Sequence, residues 1–416
     1  MRLRLLGLAA ALLIGFAAPP AFALEAPQSG NPVFDRAVKL VMDNFHDAAA
    51  LGKFTDQVKR EIDDPAGPVN AKSPEARVDE AIQAALDSLQ ASHIGHFRPD
   101  TIAYFELSDV FRFAIRDNLR RLYPPEGEVS YPGIGMIAEP SNGTWFVSDV
   151  YDGSTAAKAG ILTGDEVLAV DGAPYHEITS FTGKIGQNVT VKVRRKAGAE
   201  PQDIKVAVER IRPLPAFERA ISDSAQVFER DGRKIGYIRM WTLAARGSMG
   251  ALAEQLAEGK LKDADGLVFD LRGRWGGGSS DAAEIFLGDT PPFRLIGRDR
   301  EPYLDNVRWR KPVVALIDEG TRSGLEVFAY ALQVNGIKLV GSRTAGAVLC
   351  RRAYPPPDDS LLEIAVSDAV IGDDIRLEGV GVKPDVPVEF SLPYAAGADP
   401  QRDAAIEEMR RMLARG

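Results

Sequence analysis

From Phe34 to Met42 apolar residues recur at three- and four-residue spacing, and the same period returns from Ala76 through Leu89, which predicts two amphipathic helices. The polar, proline-bearing stretch between them, Asp63 to Ser73, reads as a loop. Residues 30–125 are therefore expected to form a mainly helical lobe. Between Pro132 and Ile211 the texture changes. Short β-rich runs such as Thr144-Trp145-Phe146-Val147 and Val189-Thr190-Val191-Lys192-Val193 are separated by glycine and aspartate turns. After Lys234, β-runs (235–240, 266–270, 313–317) alternate with helical ones (249–261, 282–287). That alternation predicts an α/β layer on a largely parallel sheet. A closing helix is predicted over 405–415, and no internal repeat is evident.

The first residues have a different character. Arg2 and Arg4 precede an apolar run from Leu5 to Ala18, and Ala21-Phe22-Ala23 offers a small-x-small cleavage site, the pattern of a secretory signal peptide over residues 1–23. The run is short for a membrane anchor and Pro19-Pro20 breaks it, so a periplasmic or secreted protein without a stable membrane span is expected. With 416 residues and 45% hydrophobic content the chain can build two or three cores. Its only cysteine, Cys350, allows no internal disulfide and is expected to be a small core residue beside Val348 and Leu349. The net charge of −9 and the lack of a clustered basic face argue against a nucleic-acid partner.

The β-rich region, residues 130–211, resembles a PDZ domain. The resemblance rests on the turn Gly133-Ile134-Gly135-Met136 and on the longer run Ala156-Ala157-Lys158-Ala159-Gly160-Ile161-Leu162-Thr163-Gly164-Asp165-Glu166-Val167-Leu168-Ala169-Val170-Asp171-Gly172. Such a fold adds an extended peptide as a strand and caps its terminal carboxylate with backbone amides, which suits a glycine-bearing turn. The resemblance implies peptide binding at Gly133, Ile134, Gly135 and Met136.

Chemistry is suggested by the strand-to-helix junction Glu319-Gly320-Thr321-Arg322-Ser323-Gly324-Leu325-Glu326 and by the glycine-rich Asp270-Leu271-Arg272-Gly273-Arg274-Trp275-Gly276-Gly277-Gly278. A serine at such a turn lies near exposed amides and the positive end of a helix, where an anion is favoured. Taken alone, Ser323 reads more readily as a helix cap and the glycines as a tight turn. Together, however, these segments resemble the tail-specific, or C-terminal processing, serine peptidases across about residues 30–400. That resemblance implies Ser323 as nucleophile, with amides of Gly324 and of Gly276 or Gly277 as the oxyanion hole.

A serine hydroxyl needs a base. In the lysine-dyad branch of the family the base follows the nucleophile in a GKG-like stretch, and here Gly341-Ser342-Arg343-Thr344-Ala345-Gly346-Ala347 places alanine at that point. Arg343 cannot substitute because a guanidinium keeps its proton, and Lys338 reads as a solvated strand-edge charge. The sequence is more similar to the tricorn-like branch, which draws a Ser-His pair from the N-terminal lobe. Leu86-Asp87-Ser88-Leu89-Gln90-Ala91-Ser92-His93-Ile94-Gly95-His96-Phe97 stands at that place. The resemblance implies His93 as general base, with His96 as local competitor, Ser92 beside it, and Glu378 before Gly379-Val380-Gly381-Val382-Lys383-Pro384-Asp385 as orienting carboxylate. Asp385 reads as a turn residue.

The expected architecture is thus multidomain α/β: a helical lobe, a PDZ-like β-rich domain, and over residues 212–416 an α/β peptidase core of the ClpP/crotonase-like type. The expected function is an exported serine endopeptidase acting on protein or peptide substrates, through their C-termini, with no metal and no cofactor. Two alternatives remain open at this stage: an inactive peptide-binding scaffold, motivated by Ala347 and Leu325, and an esterase or amidase using the same serine.

Overall fold

The computed structural model describes residues 26–278, 281–291, 293–296, 298, 302–304 and 306–415. The leader pattern at residues 1–23 lies outside them. The chain begins with helices α1 (Pro32–Asn44), α2 (Leu51–Asp63) and α3 (Glu75–Asp87), then strand β1 (Gly95–Phe97) and helices α4 (Ile102–Val110) and α5 (Arg116–Leu122). Asn31 starts α1 by accepting hydrogen bonds from the amides of Val33 and Phe34, with Pro32 at the first helical position. The buried faces of α1 and α3, including Phe34, Val38, Val78 and Ile82, meet Leu362 and Ile364 from far downstream.

Next come β2 (Tyr131–Gly133), β3 (Met136–Ser141), β4 (Thr144–Val150), α6 (Thr155–Ala159), β5 (Glu166–Val170), β6 (Asn188–Arg194), β7 (Gln202–Ala207) and β8 (Glu209–Ile211). Strands β3 to β7 form an antiparallel sheet in sequence order, so β3 is an edge. Alternate residues such as Val189, Val191 and Val193 point into its core. Strands β2 and β8 pair where the chain enters and leaves this unit.

The remainder comprises α7 (Pro213–Ser224), β9 (Gln226–Arg230), β10 (Arg233–Arg239), α8 (Ser248–Ala257), β11 (Gly266–Asp270), α9 (Glu284–Leu287), β12 (Arg294–Ile296), β13 (Pro302–Leu304), β14 (Val313–Ile317), α10 (Gly324–Val334), β15 (Lys338–Gly341), β16 (Cys350–Tyr354), β17 (Leu361–Ser367), β18 (Val386–Pro387) and α11 (Pro400–Arg415). The sheet order β18-β15-β14-β11-β10-β9 is parallel except for the β9–β10 hairpin. Both faces are covered, which is why β11 and β14 read as continuous apolar runs. Leu267, Phe269 and Ala315 pack into the main core, while Val268, Val314 and Leu316 meet Ala405 and Met409 of α11.

Further contacts tie the lobe to this layer. Strand β1 pairs antiparallel with β17, Gly95 opposite Glu363. A fully buried carboxylate, Glu106 on α4, accepts from Arg274 Nε (3.0 Å) and Nη2 (2.6 Å), from Trp275 Nε1 (2.5 Å) and from the Tyr151 hydroxyl beyond β4. One side chain thus joins the lobe, the β-rich unit and the glycine-rich loop. Cys350 departs from expectation: it is exposed at the start of β16, where a bulge between Cys350 and Arg351 turns it out of the core.

Replacing Glu106 with alanine would strand Arg274, Trp275 Nε1 and Tyr151 in the interior. The expected loss is about 3–5 kcal/mol in denaturant unfolding, with a smaller loss for Glu106→Gln. A loss below about 1 kcal/mol for the alanine variant would show that the junction does not depend on this carboxylate.

Candidate active site

Strand β14 ends at Ile317 and α10 begins at Gly324, so the intervening turn must reverse direction within six residues. Asp318 shapes it by accepting from the amides of Gly320 (2.9 Å) and Thr321 (3.1 Å), and the Thr321 hydroxyl donates to Leu271 O (3.0 Å). Ser323 closes the turn at φ +57°, a conformation that costs a non-glycine residue of order 1–3 kcal/mol and is maintained only where the surroundings impose it. The Ser323 amide donates to Ala347 O at 2.8 Å.

Glu326, one turn into α10, completes the constraint. Its carboxylate accepts from the Thr344 hydroxyl (2.5 Å) and from the amides of Gly346 (2.8 Å), Ala347 (2.7 Å) and Ser323 (3.3 Å). Burial pushes its pKa up, while those four donors favour the charged form. The Ser-x-x-Glu spacing of a capping box was the sequence signal for this residue, which motif reading left without a role. Ala347 is therefore part of the brace under Ser323. Leu325 is buried in the main core and points away from the cavity at Ser323.

The glycine-rich loop lies directly on this turn. A Cβ on Gly276 would sit 2.5 Å from Ser323 Cβ, and one on Gly324 would sit 1.9 Å from Gly277 O, so only glycine allows the approach. The amides of Gly276, Gly277 and Gly324 donate no backbone hydrogen bond among the described residues, leaving donors free beside Ser323. A cavity of about 390 Å³ opens there, lined mainly by apolar groups including Phe111, Trp275, Val327, Phe328 and Val348, with Arg351 in its wall.

The Ser-His pair from the lobe reaches the same neighbourhood. The Ser92 amide and hydroxyl donate to Glu378 Oε1 (3.1 Å) and Oε2 (2.9 Å) respectively, and Ser92 Oγ lies 3.0 Å from His93 Nδ1. A hydroxyl has one proton, and an ionised carboxylate can only accept. With that proton directed at Glu378, Nδ1 must carry the hydrogen it donates to Ser92, and Nε2 keeps its lone pair. Nε2 is buried and has no hydrogen-bond partner, Ser323 included. Burial first, then the charges of Arg351 and Arg322, push the His93 pKa from 6.5 to about 2, so the ring is neutral. His93 itself is held at φ +56°. Glu378 also accepts from the amides of Val348 (2.9 Å) and Leu349 (3.3 Å), the residues that follow Ala347.

Ser92, His93 and Glu378 thus form one hydrogen-bonded chain, and Val348 links it to the brace beneath Ser323. The structure does not join the Ser323 hydroxyl to His93. His96 lies elsewhere: its Nε2 is 2.7 Å from Ser360 Oγ and its Nδ1 3.4 Å from Asp79. Lys338 is ion-paired with Glu408 of α11, and Asp385 accepts from the Leu339 amide as a turn-side anchor.

Gly133, Ile134, Gly135 and Met136 stand apart from this cavity. They form the turn between β2 and β3. Ile134 and Gly135 donate no backbone hydrogen bond among the described residues, while their carbonyls accept from Ala156 and Tyr151. A larger cavity of about 760 Å³ runs between the adjacent edge strand β3 and the lobe residues of α3 and β1.

Comparison with known proteins agrees with these two units. Residues 234–388 match the model of peptidase family S41, and residues 132–208 match that of the PDZ domain. The carboxy-terminal processing protease CtpB of Bacillus subtilis is 24% identical over 306 residues, 70% of this chain and 62% of that protein. A carboxyl-terminal-processing protease of Picosynechococcus is 26% identical over 305 residues, 68% of this chain and 70% of that protein. The chain thus spans somewhat under two thirds of the Bacillus relative. In fold it is similar to the photosystem II D1 C-terminal processing protease (TM-score 0.50, 19% identity, 90% of this chain and 99% of that one). It is likewise similar to the tricorn protease (TM-score 0.50, 20% identity, 92% of this chain and 36% of that one). With the Ser323 turn and glycine loop inside the first matched segment and the free-amide turn inside the second, the chain carries a PDZ domain ahead of a domain that matches peptidase family S41.

Proposed function

We propose that this chain is an exported serine endopeptidase of the carboxy-terminal processing type, with His93 rather than a lysine as its base. The observation that carries the reading is the buried, unpartnered Nε2 of His93 at the end of the Glu378–Ser92 relay. Ser323 Oγ attacks the scissile carbonyl and passes its proton to Nε2. The tetrahedral oxyanion is held by the amide of Gly324 and that of Gly276 or Gly277. Collapse breaks the C–N bond as the imidazolium returns the proton to the leaving amine, and water then releases the acyl group by the same steps. Since Ser323 and His93 are not bonded at rest, substrate must bring them together, a closure compatible with catalytic geometry that tightens only in the complex.

The apolar cavity at Ser323 favours an apolar side chain on the acyl side of the cut. The free amides of Ile134 and Gly135, with the open edge of β3, suit capture of an extended C-terminal peptide. Export rests on the pattern of residues 1–23, and none of the described helices is long and apolar enough to cross a membrane.

Ser323→Ala and His93→Ala, each confirmed as folded, are expected to lower kcat/KM on a peptide library by roughly 10³-fold or more. Unchanged hydrolysis in either variant would remove that residue from the mechanism. Glu378→Gln is expected to cost on the order of 10²-fold, mostly in kcat, because an amide can turn its NH₂ toward Ser92 and reverse the relay.

Stability supplies an independent check. His93 binds fewer protons when folded than when unfolded, so its contribution is fully present above the unfolded pKa of 6.5 and is lost as pH falls toward the folded value of about 2. His96, lowered mainly by burial, acts in the same direction. Unfolding free energy should therefore fall between pH 6.5 and 5, and His93→Gln should flatten that slope by up to about 1.4 kcal/mol per pH unit. An identical slope in the variant would mean that His93 is not held neutral.

A further inference from the structure

His96, set apart from Ser323, is the centre of a second cluster. Strand β1 carries it between Asp79 of α3 and the turn before β17, where Asp358 and Ser360 stand. Its side chain is only 2% exposed. One ligand atom from each of Asp79, His96 and Asp358 lies within 4.8 Å of the other two. Asp79 and His96 also line the cavity of about 760 Å³ beside β3, so a small hydrated ion has a way in.

The protons of this cluster do not suffice for its contacts. The Ser360 hydroxyl donates to Asp358 Oδ1 at 2.6 Å, and the same Ser360 Oγ lies 2.7 Å from His96 Nε2. A hydroxyl has one proton, so the hydrogen shared with the ring must come from Nε2. Burial lowers the His96 pKa, against the opposing pull of Asp79 and Asp358, so the ring is neutral and Nδ1 is a bare lone pair. That lone pair faces Asp79 Oδ1 at 3.4 Å, acceptor against acceptor. The separation exceeds the roughly 2.7–3.2 Å of a hydrogen bond. It matches the edge of a tetrahedral metal site, where two ligands each about 2.0–2.1 Å from a zinc ion stand about 3.3–3.4 Å apart. Arg98 takes the other Asp79 oxygen at 3.1 Å and is shared with Glu75 at 2.8 Å, the place of an outer partner that orients a ligating carboxylate. Among the described residues Asp358 is bonded only by the amide and hydroxyl of Ser360, so its charge is unmatched.

We propose that Asp79, His96 and Asp358 bind a divalent cation of the zinc type, with Asp79 and His96 Nδ1 as one edge of the site and Asp358 closing it. The ion takes the position between the two facing acceptors and offsets the two carboxylates. One imidazole with two carboxylates suits Zn²⁺ and its first-row neighbours, whereas Mg²⁺ and Ca²⁺ prefer oxygen alone. The site is structural: none of its three ligands lines the cavity at Ser323. It fastens α3, β1 and the turn before β17 to one another, and β1 follows directly on the segment that holds His93. Because the ligands come from three distant parts of the chain, no local spacing announces them, and the sequence reading of no metal missed them for that reason.

The test uses the full chain after chelation and dialysis, with Zn²⁺ as titrant at neutral pH and Co²⁺ as its spectroscopic substitute. Calorimetry is expected to find one tightly bound Zn²⁺ per chain, and Co²⁺ to give the intense visible absorption of a tetrahedral site. His96→Gln is expected to weaken Zn²⁺ binding by roughly 10²-fold or more, and Asp79→Asn and Asp358→Asn by roughly 10-fold or more each. Zn²⁺ at a hundredfold excess over its Kd should raise the unfolding midpoint of the native protein by about 2–5 °C and leave that of His96→Gln where it was. Failure of the native protein to bind Zn²⁺ tightly overturns the proposal. So does native affinity retained in His96→Gln, which would place the ion on another surface group. If His96→Gln does not fold, the asparagine variants decide: weakened binding in both supports the site, and native affinity in either overturns it.

Discussion

The carboxylate of Glu378 is the constraint on which the site depends. It receives the Ser92 amide and hydroxyl from the helical lobe and the Val348 and Leu349 amides from the peptidase layer. Because it can only accept, it dictates the direction of every proton in the relay: Ser92 donates to it, His93 donates to Ser92, and Nε2 is left with a lone pair. Remove that acceptor and the lobe segment loses its anchor and the imidazole its tautomer together. A hydrogen-bond chain spanning 286 residues of sequence is therefore structural and electronic in the same atoms.

The backbone around it is held under strain. Ser323, His93 and Trp275 all adopt positive φ without being glycine, and the three sit in the strand-to-helix turn, the Ser92-His93 segment and the glycine-rich loop. Each such residue costs of order 1–3 kcal/mol, which the surroundings must impose. Glu326 braces the first, the β1–β17 pairing and Glu378 the second, and Glu106 the third through the Trp275 indole. The braces are three carboxylates and one strand pairing that join different elements of the chain. Displacing the lobe or the PDZ domain would therefore disturb the geometry around Ser323 and His93 directly.

Much of this was legible in the chain. The alternation of β-runs with helical runs after Lys234 announced a largely parallel sheet, and the short β-rich runs such as 189–193 announced the β-rich unit. The Ser323 turn could be read because glycines were needed where backbones touch, and Ser92, His93 and Glu378 through their resemblance to a tricorn-like set. Arg351, Glu106 and Glu363 were not legible, since a charged residue in a sequence carries no sign of being paired in the interior. Their meaning comes from partners 12 to 169 residues away. Cys350 misled for a related reason: its apolar neighbours are buried, but a bulge reverses its side.

The central claim is that His93 rests as a neutral imidazole protonated on Nδ1, with a free lone pair on Nε2. Nitrogen-15 NMR of the imidazole in the Ser323→Ala protein, with the His93 signals assigned by comparison with His93→Gln, reads this directly between pH 5 and 8. The account predicts one Nδ1-protonated form throughout, with no titration in that range. An Nε2-protonated ring, or a titration centred near 6.5, would contradict it.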